Sequence, residues 1–497
     1  MIPRHEHAGI KAIWTDRAKL ARWDRVELAV VEARMKLGLV SEEDWRTILG
    51  FVSKSEVDIP AWLEREKEMG HDLAAYVELR WEGLPAELRH HFHDGMTSYD
   101  TEDPAFVLAL QKSSGHVHDA ALALIEEMLE LAKRYRYQPM LERTHGQWAK
   151  LASLGSRILM WRAELVEADH ALIEAISACR RSRISGAIGT YGGRLTSEIE
   201  REALALLGLA PYYGAGQIAP RTLYASLAQA EGLVAKVLEK IAIDFQLGAR
   251  SGCPLWQEPF GRAQKGSSAM PHKKNPIRME QTEGLAAVAS GYVSMIVESA
   301  KTKERRDIAQ SCVERIAWPD LHHTLMRMLG NVRSVLGGMS VYPENMYREI
   351  AESRGTYASE DAKTFLAERL AARGLGAEVA YRIVQLACWN AHPPAADASI
   401  MDGVNLSHDL AEANRRLMHI LEHPALPAFG RDIESLLLAG NLTAIPQLDV
   451  DADMVADWNT LLREVFMDKE MWDAFTGLFT IPYQLQGESH LFELLDS

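Results

Sequence analysis

Apolar residues recur at three- and four-residue intervals along much of this chain. Val117, Ala121, Leu124, Met128 and Leu131 form one such series, and Leu223, Leu227, Ala230, Val234, Leu238, Ile241 and Phe245 another. Leu285, Val288, Tyr292 and Ile296 extend the pattern. This spacing sets an apolar stripe along one side of an α-helix, and its persistence over several turns is what antiparallel bundle helices use to interdigitate. The β-branched alternation of strands is scarce. The pattern predicts an all-α fold built on a bundle of long helices.

Breaks in the pattern divide the chain into three predicted parts. Residues 1–103 read as an N-terminal helical domain of shorter helices, with turn signals at Gly70 and in "EGLP". Residues 104–345 hold the longest periodic helices and read as a central bundle domain. Past the Tyr342-Pro343 break, residues 346–497 read as a C-terminal helical domain, with "NAHPPAADAS", Asn390 to Ser399, as a linker inside it. No internal repeat or low-complexity tract stands out, and the final segment carries no chemically legible motif.

Composition narrows the function classes. A chain of 497 residues with 47% apolar content can bury a large core. Its 69 acidic and 54 basic residues, a formal net charge of -15, argue against nonspecific nucleic-acid binding, which needs a basic face. Cys179, Cys253, Cys312 and Cys388 stand far apart, without zinc or disulfide spacing, which fits a reducing cytoplasm. The N-terminus "MIPRHEHAGI" lacks an apolar leader, and no run approaches the ~20 apolar residues needed to cross a bilayer. The expectation is a soluble, cytoplasmic protein with no membrane partner.

In so acidic a chain an anionic ligand must be held by local cations. Between Lys265 and Arg278 stand Lys265, His272, Lys273, Lys274 and Arg278 without a single Asp or Glu. This stretch is one of several polar islands between the helices: "GHD" (Gly70–Asp72), "HDGMTSYD" (His93–Asp100), "RTHGQ" (Arg143–Gln147), "RISGAIGTY" (Arg183–Tyr191), "GAGQIAPR" (Gly214–Arg221), "GSSAMPHKKNP" (Gly266–Pro276) and "ERRDIAQSCVER" (Glu304–Arg315). Any one alone reads most simply as a helix cap or connector. Together they offer imidazoles, hydroxyls, amides and cations with no metal-ligand spacing, phosphate loop or dinucleotide fingerprint. The set suits acid–base chemistry on an anion, with no metal and no cofactor.

"GSSAMPHKKNP" resembles the signature loop of the fumarase/aspartase superfamily, whose members release fumarate from succinyl-type substrates, and its Ala-Met-Pro-His-Lys form is similar to the adenylosuccinate lyase branch. "RTHGQ", "GMTS", "ISGAIGTY", "SCVER" and "VYPENM" match that branch in the same order, over residues 1 to about 385. The resemblance implies an all-α, fumarase/aspartase-type long-helix bundle and an anti β-elimination. Ser267 would be the base that takes a proton from carbon, Lys273 the charge that favours its alkoxide and the dianionic intermediate, and His145 the acid that protonates the leaving nitrogen. His71 would orient the acid and, with Asp72, meet the substrate. Thr97 and Ser98 would hold the fumaryl carboxylate, Asn275 a second carboxylate and Gln217 the substrate body. Ser268 and Met270 belong to the same loop, and Arg4, His5, Arg306, Ser311 and Arg315 would contact the anionic end. The resemblance also implies a nucleotide substrate and a homotetramer whose sites are shared between three subunits, while Gly266 and the two serines suit a closing lid.

Some positions depart from the family pattern. Gly70 stands where Arg or Lys is common, His5 where Tyr is usual, and Trp148 in "WAKLAS" where the family has Pro-containing sequence. Three readings therefore stay open: the adenylosuccinate lyase reaction, a sister lyase or cycloisomerase acting on another succinyl-type compound, and a catalytically silent homologue.

Overall fold

The structure is a computed structural model that describes residues 2–391 and 468–496. The linker expected at Asn390–Ser399 lies, beyond its first two residues, outside that range. The described residues form two compact units: residues 2–127, 161–247 and 258–338 make the first, and residues 128–160, 248–257, 339–391 and 468–496 the second.

The first unit is helical, as the periodicity requires. Five helices, α1 (Ala8–Ile13), α2 (Asp16–Lys36), α3 (Glu42–Lys54), α4 (Ile59–Met69) and α5 (Asp72–Gly83), precede the long α6 (Ser98–Arg134). Side-chain caps mark several starts: Thr15 accepts from the Ala18 amide (3.2 Å) and Ser41 from that of Asp44 (3.0 Å). The other long helices are α7 (Leu154–Ala178), α9 (Thr222–Gly248), α10 (Ile277–Glu298) and α11 (Ala309–Gly338), with the short α8 (Ser197–Leu206) between α7 and α9. On α9 the predicted stripe is buried from Leu227 to Phe245. On α10 the predicted series is buried only at Ile296. Val288 is 43% exposed, and the buried face runs through Met279, Thr282, Ala286, Ala289 and Ile296. Helix α10 is apolar on two sides, so periodicity alone does not select the one this chain covers.

Polar clusters in the bundle interior fix which helix faces meet. Ser114 of α6 donates to Glu231 of α9 at 2.7 Å, and Nε2 of His322 of α11 lies 3.0 Å from the same carboxylate oxygen. The His322 ring stacks against Trp14 and Trp318. A second cluster gathers the polar islands at the start of α6. Asp100 accepts from the amides of Thr97, Ser185 and Gly186 (2.8, 2.8 and 3.2 Å) and pairs with Arg183 at 2.8 Å, both side chains being fully buried. One turn on, Asp103 accepts from the Ala219 amide (2.6 Å) and pairs with Arg221 (2.9 Å), which also reaches Glu314 of α11 (2.8 Å). Arg183 further donates to the carbonyls of Gln217 and Gly186.

The second unit contains the element the sequence reading missed, a β-hairpin. Strand β1 (Pro139–Thr144) pairs antiparallel with β2 (Gln147–Ser153), with a bulge between Leu141 and Arg143. His145 and Gly146 form its two-residue turn with φ of 55° and 76°. Two successive positive φ values are what a type I′ hairpin turn demands, and Gly at the second position meets that demand at no steric cost. The unit's core gathers Leu141 and Leu151 of the hairpin with Phe365 and Leu366 of α13 (Ser359–Ala371) and Ile383 and Val384 of α14 (Ala377–Ala391). Phe475, Leu478 and Phe479 from residues 468–496 complete it, and Tyr357 donates to the Phe479 carbonyl at 2.8 Å. A segment without chemical motif thus has a packing role.

The fully buried Asp100–Arg183 pair sets a measurable expectation. Asp100→Ala should lower the free energy of unfolding in urea by about 3–5 kcal/mol, because it takes the only carboxylate paired with the buried Arg183 guanidinium among the described residues and the acceptor of three backbone amides. A loss below about 1 kcal/mol would show that water reaches Arg183 instead.

Candidate active site

The loop that opens with Glu258 and closes at Met279 is tied at its base by one carboxylate. Glu258 accepts from the amide of Arg278 (3.2 Å) on one oxygen and of Met279 (2.8 Å) on the other, capping the start of α10. Burial raises the Glu258 pKa despite those two amides. Within the loop, Ser267 Oγ accepts from the amides of Ala269 (3.3 Å) and Met270 (3.1 Å). Gly266 is buried, and a Cβ there would lie 2.0 Å from the Lys273 carbonyl oxygen. This glycine therefore serves a close approach between the two limbs of the loop. Ser268, Met270 and Lys273 are exposed and Asn275 half-buried. Among the described residues no hydrogen bond or ion pair joins the side chains of Ser267, Ser268, Lys273 or Asn275 to the other predicted site residues.

Elsewhere in the first unit the structure does bring predicted residues together. Arg306 donates to Gln217 Oε1 at 2.7 Å while Gln217 Nε2 donates to the Ala187 carbonyl at 2.8 Å. The Arg306 guanidinium lies 4.1 Å from the centroid of the Tyr99 ring, which holds it by a cation–π contact. Thr97 and Ser98 are half-buried beside the Asp100 cluster. Arg4 and His5 line a cavity of about 350 Å³ together with Arg278, Arg327, Asn331 and Ser334. Arg278 stands in the acid-free basic stretch, which was a usable signal; Arg327, inside α11, carries none.

His71 and Asp72 begin α5. The His71 Nδ1 accepts from the Ala74 amide at 3.3 Å, so this imidazole caps the helix. Oδ2 of Asp72 takes both Arg315 of α11 (2.9 Å) and Lys19 of α2 (2.8 Å). Burial opposes the charge on Asp72, yet these two cations more than offset it and hold its pKa below the ordinary carboxylate value. Ser311 is buried one turn before Arg315 on α11. Gly70 has a reason of its own: with φ 66° it ends α4 in the left-handed conformation, its amide donating to the Glu66 carbonyl at 2.7 Å. The cation absent from position 70 is supplied next to Asp72 by Lys19, which no local motif marks.

His145 belongs to the second unit, exposed at the tip of the hairpin. Arg143, two residues before it, is tied to Glu349 of α12 (Pro343–Glu352). Trp148 follows on β2, opposite Arg143 in the register.

The chain matches the family described as Lyase over residues 58–291. It is 34% identical to the adenylosuccinate lyase of Thermotoga maritima, across 78% of this chain and 89% of that protein. It is 32% identical to the adenylosuccinate lyase of Bacillus subtilis, across 78% and 87%. Among solved structures it is similar to a fumarate lyase from Mesorhizobium sp. BNC1, with a TM-score of 0.70 at 20% identity over 92% of this chain and 98% of that one. A β-carboxy-cis,cis-muconate cycloisomerase from Acinetobacter calcoaceticus has a TM-score of 0.66, also at 20% identity, over 87% and 98%. These structural likenesses establish the long-helix fold, and the identity to the lyases across most of both chains goes further: the protein belongs to the adenylosuccinate lyase family.

Proposed function

We propose that this protein cleaves adenylosuccinate to AMP and fumarate, and the succinylated aminoimidazole carboxamide ribotide SAICAR to AICAR and fumarate, as a C–N lyase of purine biosynthesis. The observation that carries the chemistry is the setting of Ser267. A serine hydroxyl gives up its proton reluctantly, and the amides of Ala269 and Met270 donate to its oxygen, which favours the alkoxide over the alcohol. Positive charge from Lys273 on the same loop works in the same direction.

The alkoxide of Ser267 removes the proton beside the substrate carboxylate. The C–H electrons become negative charge spread over that carboxylate, which Lys273 and Asn275 stabilise. That charge then collapses to the C=C bond of fumarate, the C–N bond breaks, and His145 gives its proton to the departing nitrogen. The reaction moves protons and electron pairs only, and side-chain acids and bases suffice for it. Thr97 and Ser98 hold the fumaryl carboxylate, Gln217 and Arg306 act as one hydrogen-bonded pair on the substrate body, and Ser268 and Met270 shape the loop over it. His71 orients the acid. Ser311 and Arg315 take the phosphate, with Asp72 holding Arg315 until substrate arrives, and Arg4 and His5 add to the anion site.

The protein acts as a cytoplasmic homotetramer in which each site draws on three subunits. Support comes from large apolar side chains left in solvent on the long helices: Leu233 and Leu247 of α9 are 52% and 51% exposed, Val288 of α10 is 43% exposed, and Ile316 of α11 is 62% exposed. Sedimentation should give four times the chain mass, and a monomer would remove the shared-site reading.

Purified protein mixed with adenylosuccinate should show the absorbance change of fumarate release. No change at micromolar enzyme, with another succinyl adduct consumed, would overturn the substrate assignment. Ser267→Ala and His145→Ala should each lower kcat by about 10²-fold or more with helicity and assembly intact. Near-normal turnover in either would remove the role given to that residue.

A further inference from the structure

Trp14, Trp23, Trp62 and Phe106 wall a cavity of about 310 Å³ in the first unit. Its polar groups come from four helices: Asp16, Lys19 and Arg22 from α2, Glu66 from α4, Glu102 from α6 and Arg315 from α11. The size lies at the lower end of the range for small-molecule sites, roughly 300–1,000 Å³, and apolar walls with a few convergent polar groups are their usual make-up.

The cations are not saturated by the partners they have. Lys19 and Arg315 share a single oxygen of Asp72, so an ammonium with three N–H groups and a guanidinium with five keep N–H groups to spare. Lys19 is held in place from the other side, 4.4 Å from the centroid of the Trp23 ring and 5.4 Å from that of Trp62. Arg22 donates to the Ile13 carbonyl at 2.7 Å, but its buried Nε has no acceptor among the described residues, and burial pushes its guanidinium down to about 10. The Glu102 carboxyl makes no hydrogen bond among the described residues. Burial first, and the nearby Asp72 charge second, push it up to about 7, against the pull of Lys19 and Arg315. Glu102 therefore takes up a proton, and with it the ability to donate, more readily than an ordinary carboxylate. Asp16 and Glu66, also in the lining, weigh against a multiply charged guest.

We propose that this cavity binds a small planar aromatic monocarboxylate, its ring against the indoles and its carboxylate on Lys19, Arg22 and Arg315. Such a guest competes with Asp72 for Lys19 and Arg315 and so disturbs the His71–Asp72 turn. It lowers turnover without occupying the reacting centre. The kinetic part rests on the roles proposed above for His71 and Arg315, whereas the binding itself does not.

Calorimetric titration of the full-length protein with indole-3-carboxylate tests the site, with indole-3-carboxamide as the uncharged control. The carboxylate should bind saturably, one per chain, and the carboxamide at least about tenfold more weakly, since it forfeits the charge-assisted hydrogen bonds. Leu63, which also lines the cavity and is 47% exposed, allows the space to be filled without touching the core. Leu63→Trp should weaken carboxylate binding at least about tenfold while leaving helicity and adenylosuccinate turnover unchanged. With the unaltered protein, indole-3-carboxylate should raise the KM for adenylosuccinate, because it takes Arg315 from the substrate phosphate, and Leu63→Trp should relieve that effect. Absence of saturable binding, equal affinity for the carboxamide, or undiminished binding by Leu63→Trp would overturn the proposal. If adenylosuccinate is not turned over at all, the functional reading fails and the calorimetry still judges the cavity.

Discussion

A guanidinium removed from water must find carboxylates, and Arg221 finds two, Asp103 of α6 and Glu314 of α11, while Arg183 finds Asp100 one turn before Asp103. Such pairs add little net stability over apolar packing, but each partner is strongly unfavourable alone, so the arrangement tolerates few alternatives. That intolerance is what places the site. The loops carrying Ser185, Gly186, Gln217 and Ala219 bury Ile184 and Ile218, and their amides and carbonyls complete the shells of the buried charges. Gln217 and Arg306 then meet through that scaffold.

The basic loop is organised differently. Its two ends are joined by the Glu258 carboxylate, and its limbs touch where Gly266 lacks a side chain. Between those anchors Ser267 is oriented by the amides that follow it, and the charged side chains remain in solvent. A loop built this way has a defined base and an adaptable tip, as suits the closing role proposed for it. Gly266, which invites a hinge reading from sequence, is explained here by contact distance.

Charge in an acidic protein is handled locally. Asp72 draws in Lys19 and Arg315, so one carboxylate keeps two cations ordered at the anion site proposed above. The aromatic packing around Lys19 gives the same ammonium a second attachment, and the neighbouring Glu102 is raised to about 7 by its burial and by Asp72. Small changes in what occupies this region therefore carry weight beyond their size.

The helical fold was legible in the chain because a 3.6-residue period survives translation into any sequence that buries one face of a helix, and the loop "GSSAMPHKKNP" was legible because its chemistry is local. Where local signals conflict or are silent, tertiary structure decided. The hairpin around His145 depends on a turn with two positive φ values and on a core it shares with residues 475–479, far along the chain. Helix α10 is apolar on two sides, and only its neighbours select the buried one. Lys19, Glu102 and Arg327 look like ordinary surface charges in sequence, because proximity across helices, unlike periodicity, leaves no mark on the residues that are brought together.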